Sequence, residues 1–177
     1  MTYTPGVSVI VPAYNEERVV VRTIASLLGQ QYAGELEIVI VDDGSTDDTA
    51  AICEEAYGRH PQVSIYRQAN GGKASALNFG IALARHAVVI GLDADTIFDD
   101  DTVAELVQPL ADPLVAAVAG NAKVGNRINL VTRWQALEYV TSQNLDRRAF
   151  SLLDCITVVP GAVGAWRRSA LLEVGGF

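Results

Sequence analysis

The sequence is poor in the features by which several chemistries are usually read. Cysteine is scarce: Cys53 and Cys155 stand far apart in apolar surroundings. That leaves no disulfide framework and no Cys/His spacing of the zinc kind, and both thiols read as reduced and buried. His60 and His86 are isolated and read as loop or edge residues rather than ligands. Basic charge is also scarce. The 13 Lys and Arg face 21 Asp and Glu, for a net charge of −8 with no basic block. This argues against nucleic acid, whose affinity rests on neutralising phosphates. No apolar run approaches the roughly 20 residues that span a bilayer. The longest charge-free stretch, residues 1–15, is broken by Pro5 and Pro12, and no signal-peptide pattern opens it. No Gly-x-Gly-x-x-Gly follows the first predicted strand, which counts against a dinucleotide site of the Rossmann kind.

What is present is an alternation. Half of the 177 residues are hydrophobic, enough for one globular domain. Residues 7–11 form a buried strand expected to stop at Pro12, and Asn15 can cap a helix from Glu16 to about Gly29. A second strand covers residues 36–41, with a helix after Asp47 and Asp48 to about Gly58. A third strand over 63–67 precedes a loop, Asn70 to Lys73, and an Ala-rich helix over 74–85. Val88, Val89, Ile90 and Leu92 form a strand buried on both faces. Strand–helix repetition of this kind implies right-handed crossovers and an α/β, Rossmann-like, mostly parallel sheet with helices on both faces. Beyond it we expect a helix over 99–110, a strand over 114–119, a long helix over 130–153, a strand over 156–159, and a turn or short strand over 160–166.

Ligands in such sheets bind beyond the carboxyl ends of the strands. The unusual polar residues fall there, at four separate strand–loop junctions: Tyr14, Asn15 and Glu16; Asp42 and Asp43; Asn70 to Lys73; Asp93 and Asp95. Asp93 and Asp95 end the buried strand, where two anions are costly to desolvate unless a cation meets them. A divalent metal with a phosphate would suit; a bland alternative is that Asp95 caps a helix beside a solvated acid. Tyr14 and Glu16 suit a base and a ribose hydroxyl better than a phosphate, or else are a helix cap with a first-turn acid. Asp42 and Asp43 can accept from a base or ribose, or simply make an Asx turn. Lys73, after two glycines, can neutralise a diphosphate or form a surface pair.

Taken together, the motifs Val11 to Glu16, Val41 to Thr46, Asn70 to Lys73 and Asp93 to Asp95 resemble the inverting glycosyltransferases of family 2, with the GT-A fold. The resemblance covers almost the whole chain. It implies that Pro12, Ala13, Tyr14 and Glu16 hold uracil and ribose, that Asp43 contacts the uracil edge, and that Lys73 lies by the diphosphate. It further implies that Asp93, with Ala94 beside it, contacts the nucleotide. Asp95, with Asp93 next to it, would hold Mg²⁺ or Mn²⁺ bridging the phosphates. Residues 120–127, 134–139 and 143–148 resemble the processive membrane branch that makes chitin, hyaluronan, cellulose and poly-N-acetylglucosamine. By that likeness Gly161, Ala162, Gly164 and Trp166 line the acceptor and donor-sugar floor.

The expected reaction is inverting transfer from a UDP-sugar, of the UDP-GlcNAc or UDP-glucose type, to a saccharide acceptor, in the service of polysaccharide synthesis. A non-catalytic nucleotide-sugar module and a single-addition transferase are the alternatives. Residues 1–177 are expected to be one catalytic domain, incomplete at its C-terminus: 1–98 the nucleotide-binding half, 99–177 a partial acceptor half. The general base of the family belongs to an acidic motif expected beyond Phe177. Polymer-forming activity of these residues alone is therefore expected to be small. The expected location is cytoplasmic, at the membrane face in a longer protein, with membrane contact only through segments outside this sequence.

Overall fold

The alternation read from the sequence folds into one six-stranded sheet covered by helices on both faces. The computed structural model describes residues 2–121 and 163–177. The elements are β1 (Val7–Ala13), α1 (Val20–Leu28), β2 (Leu36–Asp42), α2 (Thr49–Tyr57), β3 (Val63–Arg67), α3 (Lys73–Leu83) and β4 (Val88–Leu92). Then come α4 (Thr102–Val107), a 3-10 turn (Gln108–Ala111), β5 (Ala117–Ala119), β6 (Val163–Arg167) and α5 (Arg168–Glu173). The strand order is β3-β2-β1-β4-β6-β5. β1 runs parallel to β2 and β4, and β2 parallel to β3. β6 is inserted antiparallel between β4 and β5.

Period-two alternation divides the core between the two faces. Val7, Val9, Val11 and Ala13 of β1 pack with Val20, Ile24 and Leu27 of α1 and with Val103 and Val107 of α4. Ile10, pointing the other way, packs with Leu77 and Ile81 of α3 and Leu171 of α5. Every residue of β4 is buried, as its near-continuous apolar run requires. Full burial of each such aliphatic chain stabilises by roughly 1.5–3 kcal/mol, so the sheet is a stiff frame for its loops.

Several local expectations change. β1 does not stop at Pro12 but continues to Ala13, paired with Val41 and Asp42. The β1–β4 ladder ends at Ile10, so Pro12 sits where the strand has a neighbour on one side only and its missing N–H is tolerated. Asn15 caps no helix: its φ is 58°, and α1 begins at Val20. The helix expected over 99–110 is shorter, because Pro109 has no N–H for the α ladder and the chain tightens into a 3-10 turn. The strand expected over 114–119 keeps only Ala117–Ala119; Leu114 lies in a turn, its N–H donating to Asp112 Oδ1 at 2.9 Å. The expected elements over 130–153 and 156–159, like Cys155, Gly161 and Ala162, lie outside the described residues. No helix among the described residues is long and apolar enough to cross a membrane.

Candidate functional site

The carboxyl ends of β1, β2 and β4 open on one cavity of about 450 Å³. It is lined by Pro12, Ala13, Tyr14, Glu16, Asp43, Asn70, Gly72, Lys73, Asp93, Ala94 and Asp95. Nine of these are given individual roles above; Asn70 and Gly72 belong to the Asn70 to Lys73 loop singled out with them. Parallel strands deliver these loops to one rim because all their carboxyl ends point the same way.

Each loop is fixed by polar contacts from another. The first loop is held by the second: Asn15 N–H donates to Ser45 Oγ at 2.9 Å and Glu16 N–H to Thr49 Oγ1 at 2.8 Å. In return Thr46 N–H donates to Asn15 Oδ1 at 2.8 Å. This use of its side chain, with the left-handed backbone that Asn tolerates, is why Asn15 does not cap α1. Tyr14 is left half-exposed over the cavity.

Asp42 and Asp43, equivalent to the eye in the sequence, have opposite tasks. Asp42 is buried; its Oδ1 accepts from Ser45 N–H at 3.2 Å, the Asx turn that was the bland alternative. Its Oδ2 lies 3.0 Å from Arg67 Nε, an ion pair without hydrogen-bond alignment. Asp43 turns to the glycine loop. Its Oδ1 accepts from Gln68 Nε2 at 2.7 Å and Gly71 N–H at 3.0 Å, and its Oδ2 from Gly72 N–H at 2.8 Å. Gly44 allows that approach: its φ is +73°, and a Cβ there would stand 2.8 Å from Asn70 N. Gly72, at φ +84°, then turns the chain into α3, whose first residue is Lys73.

Lys73 Nζ forms an ion pair with Asp93 Oδ1 across the cavity. Asp95 is exposed, and no helix starts there; α4 begins at Thr102, with Asp101 at the position before it, which removes the helix-cap reading of Asp95. Glu16 registers the local field. Burial first, then the charges of Asp95, Asp47 and Asp93, raise its carboxyl above the ordinary 4.5. The rim is thus an anionic pocket with one lysine reaching across it.

Among the described residues no cluster of three or more Asp, Glu, His or Cys could by itself hold a metal ion. The donor set, one or two carboxylates open to the cavity, fits a hard divalent cation that completes its shell from phosphate and water rather than from a protein cage. Gly164 and Trp166 do not join the cavity. β6 runs antiparallel to β4, pairing Val163 with Leu92 at the rim and Trp166 with Val89 deep in the sheet. Trp166 is buried, edge-on to Phe177 at 5.2 Å between centroids. The sequence reading quoted Ser45 within a motif without giving it a role, and it missed Gln68, Thr49 and Thr23; all four hold the rim without lining it. Only Thr23 carried a signal, as a hydroxyl on the apolar stripe of α1.

The profile described as "Glycosyl transferase family 2" matches residues 8–175. A poly-beta-1,6-N-acetyl-D-glucosamine synthase of Staphylococcus epidermidis is 36% identical over 171 residues, 96% of this chain and 41% of that protein. The chain therefore spans less than half the length of that curated relative. Among solved structures, a mannosyltransferase from Pyrobaculum calidifontis in complex with GDP-Man and Mn²⁺ matches at a TM-score of 0.78 and 31% identity, over 99% of this chain and 48% of that one. TarS of S. aureus, residues 1–349, matches at a TM-score of 0.60 and 28% identity, over 69% of this chain and 37% of that one.

Proposed function

We propose, from the premise that this chain belongs to glycosyl transferase family 2 and has the GT-A fold, that its rim cavity holds the nucleotide diphosphate of a sugar donor. The observation that carries this reading is the Lys73–Asp93 pair beside Asp95 at the mouth of β4, with Tyr14 and Asp43 across the same cavity. In this reading Tyr14, Pro12 and Ala13 give the base and ribose an apolar wall, and Glu16 takes a ribose hydroxyl. Asp43 holds the glycine loop at the base edge. Lys73 exchanges its contact with Asp93 for the diphosphate. Asp95, with Asp93, holds Mg²⁺ or Mn²⁺; when bound, such an ion supplies charge stabilisation for the departing diphosphate.

The donor is proposed to be a UDP-sugar, passed with inversion to a saccharide in polysaccharide synthesis. Support comes from the synthase relative, whose product is poly-beta-1,6-N-acetyl-D-glucosamine. A second reading, a guanine nucleotide donor, is favoured by the mannosyltransferase neighbour, whose complex holds GDP-Man and Mn²⁺. An inverting displacement needs a base for the acceptor proton. The carboxylates that line the cavity, Glu16, Asp43, Asp93 and Asp95, serve the donor side in this scheme, so the base is assigned outside them.

Calorimetric titration of UDP and of GDP, each with and without Mn²⁺, tests the reading. UDP binding should strengthen with Mn²⁺ and exceed that of GDP, and Asp95→Ala should remove the metal effect. Metal-independent binding, unchanged in the variant, would overturn it. Tighter binding of GDP would transfer the assignment to the second reading.

A further inference from the structure

The segment that follows β4, from Asp93 to Asp101, has no regular structure, yet it carries two acids of the site, Asp93 and Asp95. Its backbone is tied down by α1 and by the residues just past its end. Thr23 Oγ1 donates to the carbonyl of Ala94 at 2.6 Å. Ser26 Oγ accepts from Phe98 N–H at 3.2 Å. Gln30 Nε2 donates to the Asp99 carbonyl at 2.8 Å, and Gln30 Oε1 accepts from Val103 N–H at 2.9 Å. Just past the helix, Gln31 N–H donates to the Asp100 carbonyl at 2.7 Å. Thr23 and Ser26, three residues apart, are neighbours on one face of α1, and Gln30 follows just past its end.

Thr23 is the unusual member. It is fully buried among Val20, Ile24 and Leu27, a place where valine would fill the same space. A buried hydroxyl is costly without a partner, and a buried carbonyl equally so. Here each satisfies the other. The peptide group is planar, so fixing the Ala94 carbonyl fixes the plane that runs to Asp95 Cα, the atom from which the Asp95 side chain departs. The Ala94 methyl is anchored as well, buried in the same core as Phe98. The middle residue between the two aspartates is thus held by its side chain and by its carbonyl, while Asp95 stands exposed to the cavity.

We infer that Thr23, backed by Ser26 and Gln30, is a positioning residue for Asp95: α1 presets the acid for the metal and diphosphate instead of leaving it to be ordered on binding. This rests on the donor-site reading above. Ligand groups must be held to within about 0.5 Å for a metal site to work, and a loop without regular structure needs outside support to reach that.

The test compares Thr23→Val, Thr23→Ser, Ser26→Ala and Asp95→Ala in the full 177-residue chain. The readout is the ratio of UDP affinities with and without Mn²⁺, which a merely structural role would not move, with thermal melts run in parallel. Thr23→Val is expected to shrink that ratio by about three- to tenfold, the range of one lost hydrogen bond, while UDP affinity without metal stays unchanged. Thr23→Ser, which keeps the hydroxyl, should restore the ratio. An unchanged ratio in Thr23→Val beside a collapsed one in Asp95→Ala would overturn this inference and leave the donor-site reading standing. An unchanged ratio in Asp95→Ala would overturn both. Should Thr23→Val fail to fold, Ser26→Ala decides: it keeps the core intact, and an unchanged ratio there overturns the inference.

Discussion

Lys73 Nζ meets Asp93 Oδ1 directly across the mouth of the rim cavity, joining the first residue of α3 to the first residue after β4. The lysine opens α3 just after the glycine loop that Asp43 holds, and the aspartate follows directly on the fully buried β4. Both side chains are partly exposed, at 47% and 33%, which limits what the pair contributes to stability. In the proposed donor site its value lies in holding a cation where a diphosphate can displace the aspartate.

That asymmetry separates two effects of Lys73→Met. Stability should change by less than about 1 kcal/mol, as for other solvated pairs. UDP affinity should fall about tenfold, equivalent to ~1.4 kcal/mol. Added salt should weaken binding to the unaltered chain and have less effect on the variant. Thermal melts and calorimetry at two ionic strengths check both halves.

Asp43 accepts three N–H groups from residues 68–72. Asp43→Asn removes one acceptor oxygen and aims an amide NH₂ at backbone donors. Bonds to charged groups are worth more than neutral ones, so a loss of about 2 kcal/mol is expected. Amide exchange at Gly71 and Gly72 should accelerate beyond the global change, because the loop opens locally. Equal acceleration across the sheet would show that Asp43 does not clamp the loop.

Glu37 sits at the opposite end of the sheet from the cavity, on β2. Its Oε2 accepts from Ser8 Oγ at 2.6 Å and Arg85 N–H at 3.0 Å, and Arg85 Nε lies 2.7 Å from Oε1. Burial alone would raise its carboxyl, but the bonds from Ser8 and Arg85 and the guanidinium charge outweigh it and hold the group below the ordinary 4.5. A depressed folded value means stability that is present above 4.5 and lost as pH falls through the folded value. Glu37→Gln should cost about 2 kcal/mol at neutral pH, and the gap should close in acid. Urea melts over a pH series measure it.

Glu16 has the opposite sign. Burial and the neighbouring acids raise its carboxyl, so the folded chain holds this proton more readily than the unfolded one. The ionised form therefore costs stability, a cost that is absent in acid and grows as pH rises through the raised value. Glu16→Gln should melt higher than the unaltered chain at neutral pH and identically well below pH 4.5. Mn²⁺ should stabilise the unaltered chain more than the variant, since the cation relieves the same repulsion. A variant that melts lower at neutral pH would sink this account of Glu16.

The rim was legible in the sequence because a parallel sheet makes a global result out of local ones. Each strand–loop junction can be found alone, and the topology then sends Tyr14, Glu16, Asp43, Lys73, Asp93 and Asp95 to one side without any long-range contact having to be read. What the loops do to one another was not legible. Asn15 reads as a helix cap until Thr46 is seen to claim its side chain, and Asp42 and Asp43 read alike until one faces Arg67 and the other the glycine loop.

The chain by itself therefore determined the alternating fold, the family and the members of the rim, through hydrophobic periodicity and the chemistry of residues at strand ends. Tertiary structure alone decided the rest. It inserted β6 antiparallel beside β4, which carries Trp166 away from the cavity into the core, and it laid the polar face of α1 along the segment after Asp93. The reason is physical: register and buried hydrogen bonds join residues dozens of positions apart, and a side chain's partner is set by what packs against it, not by its neighbours in sequence.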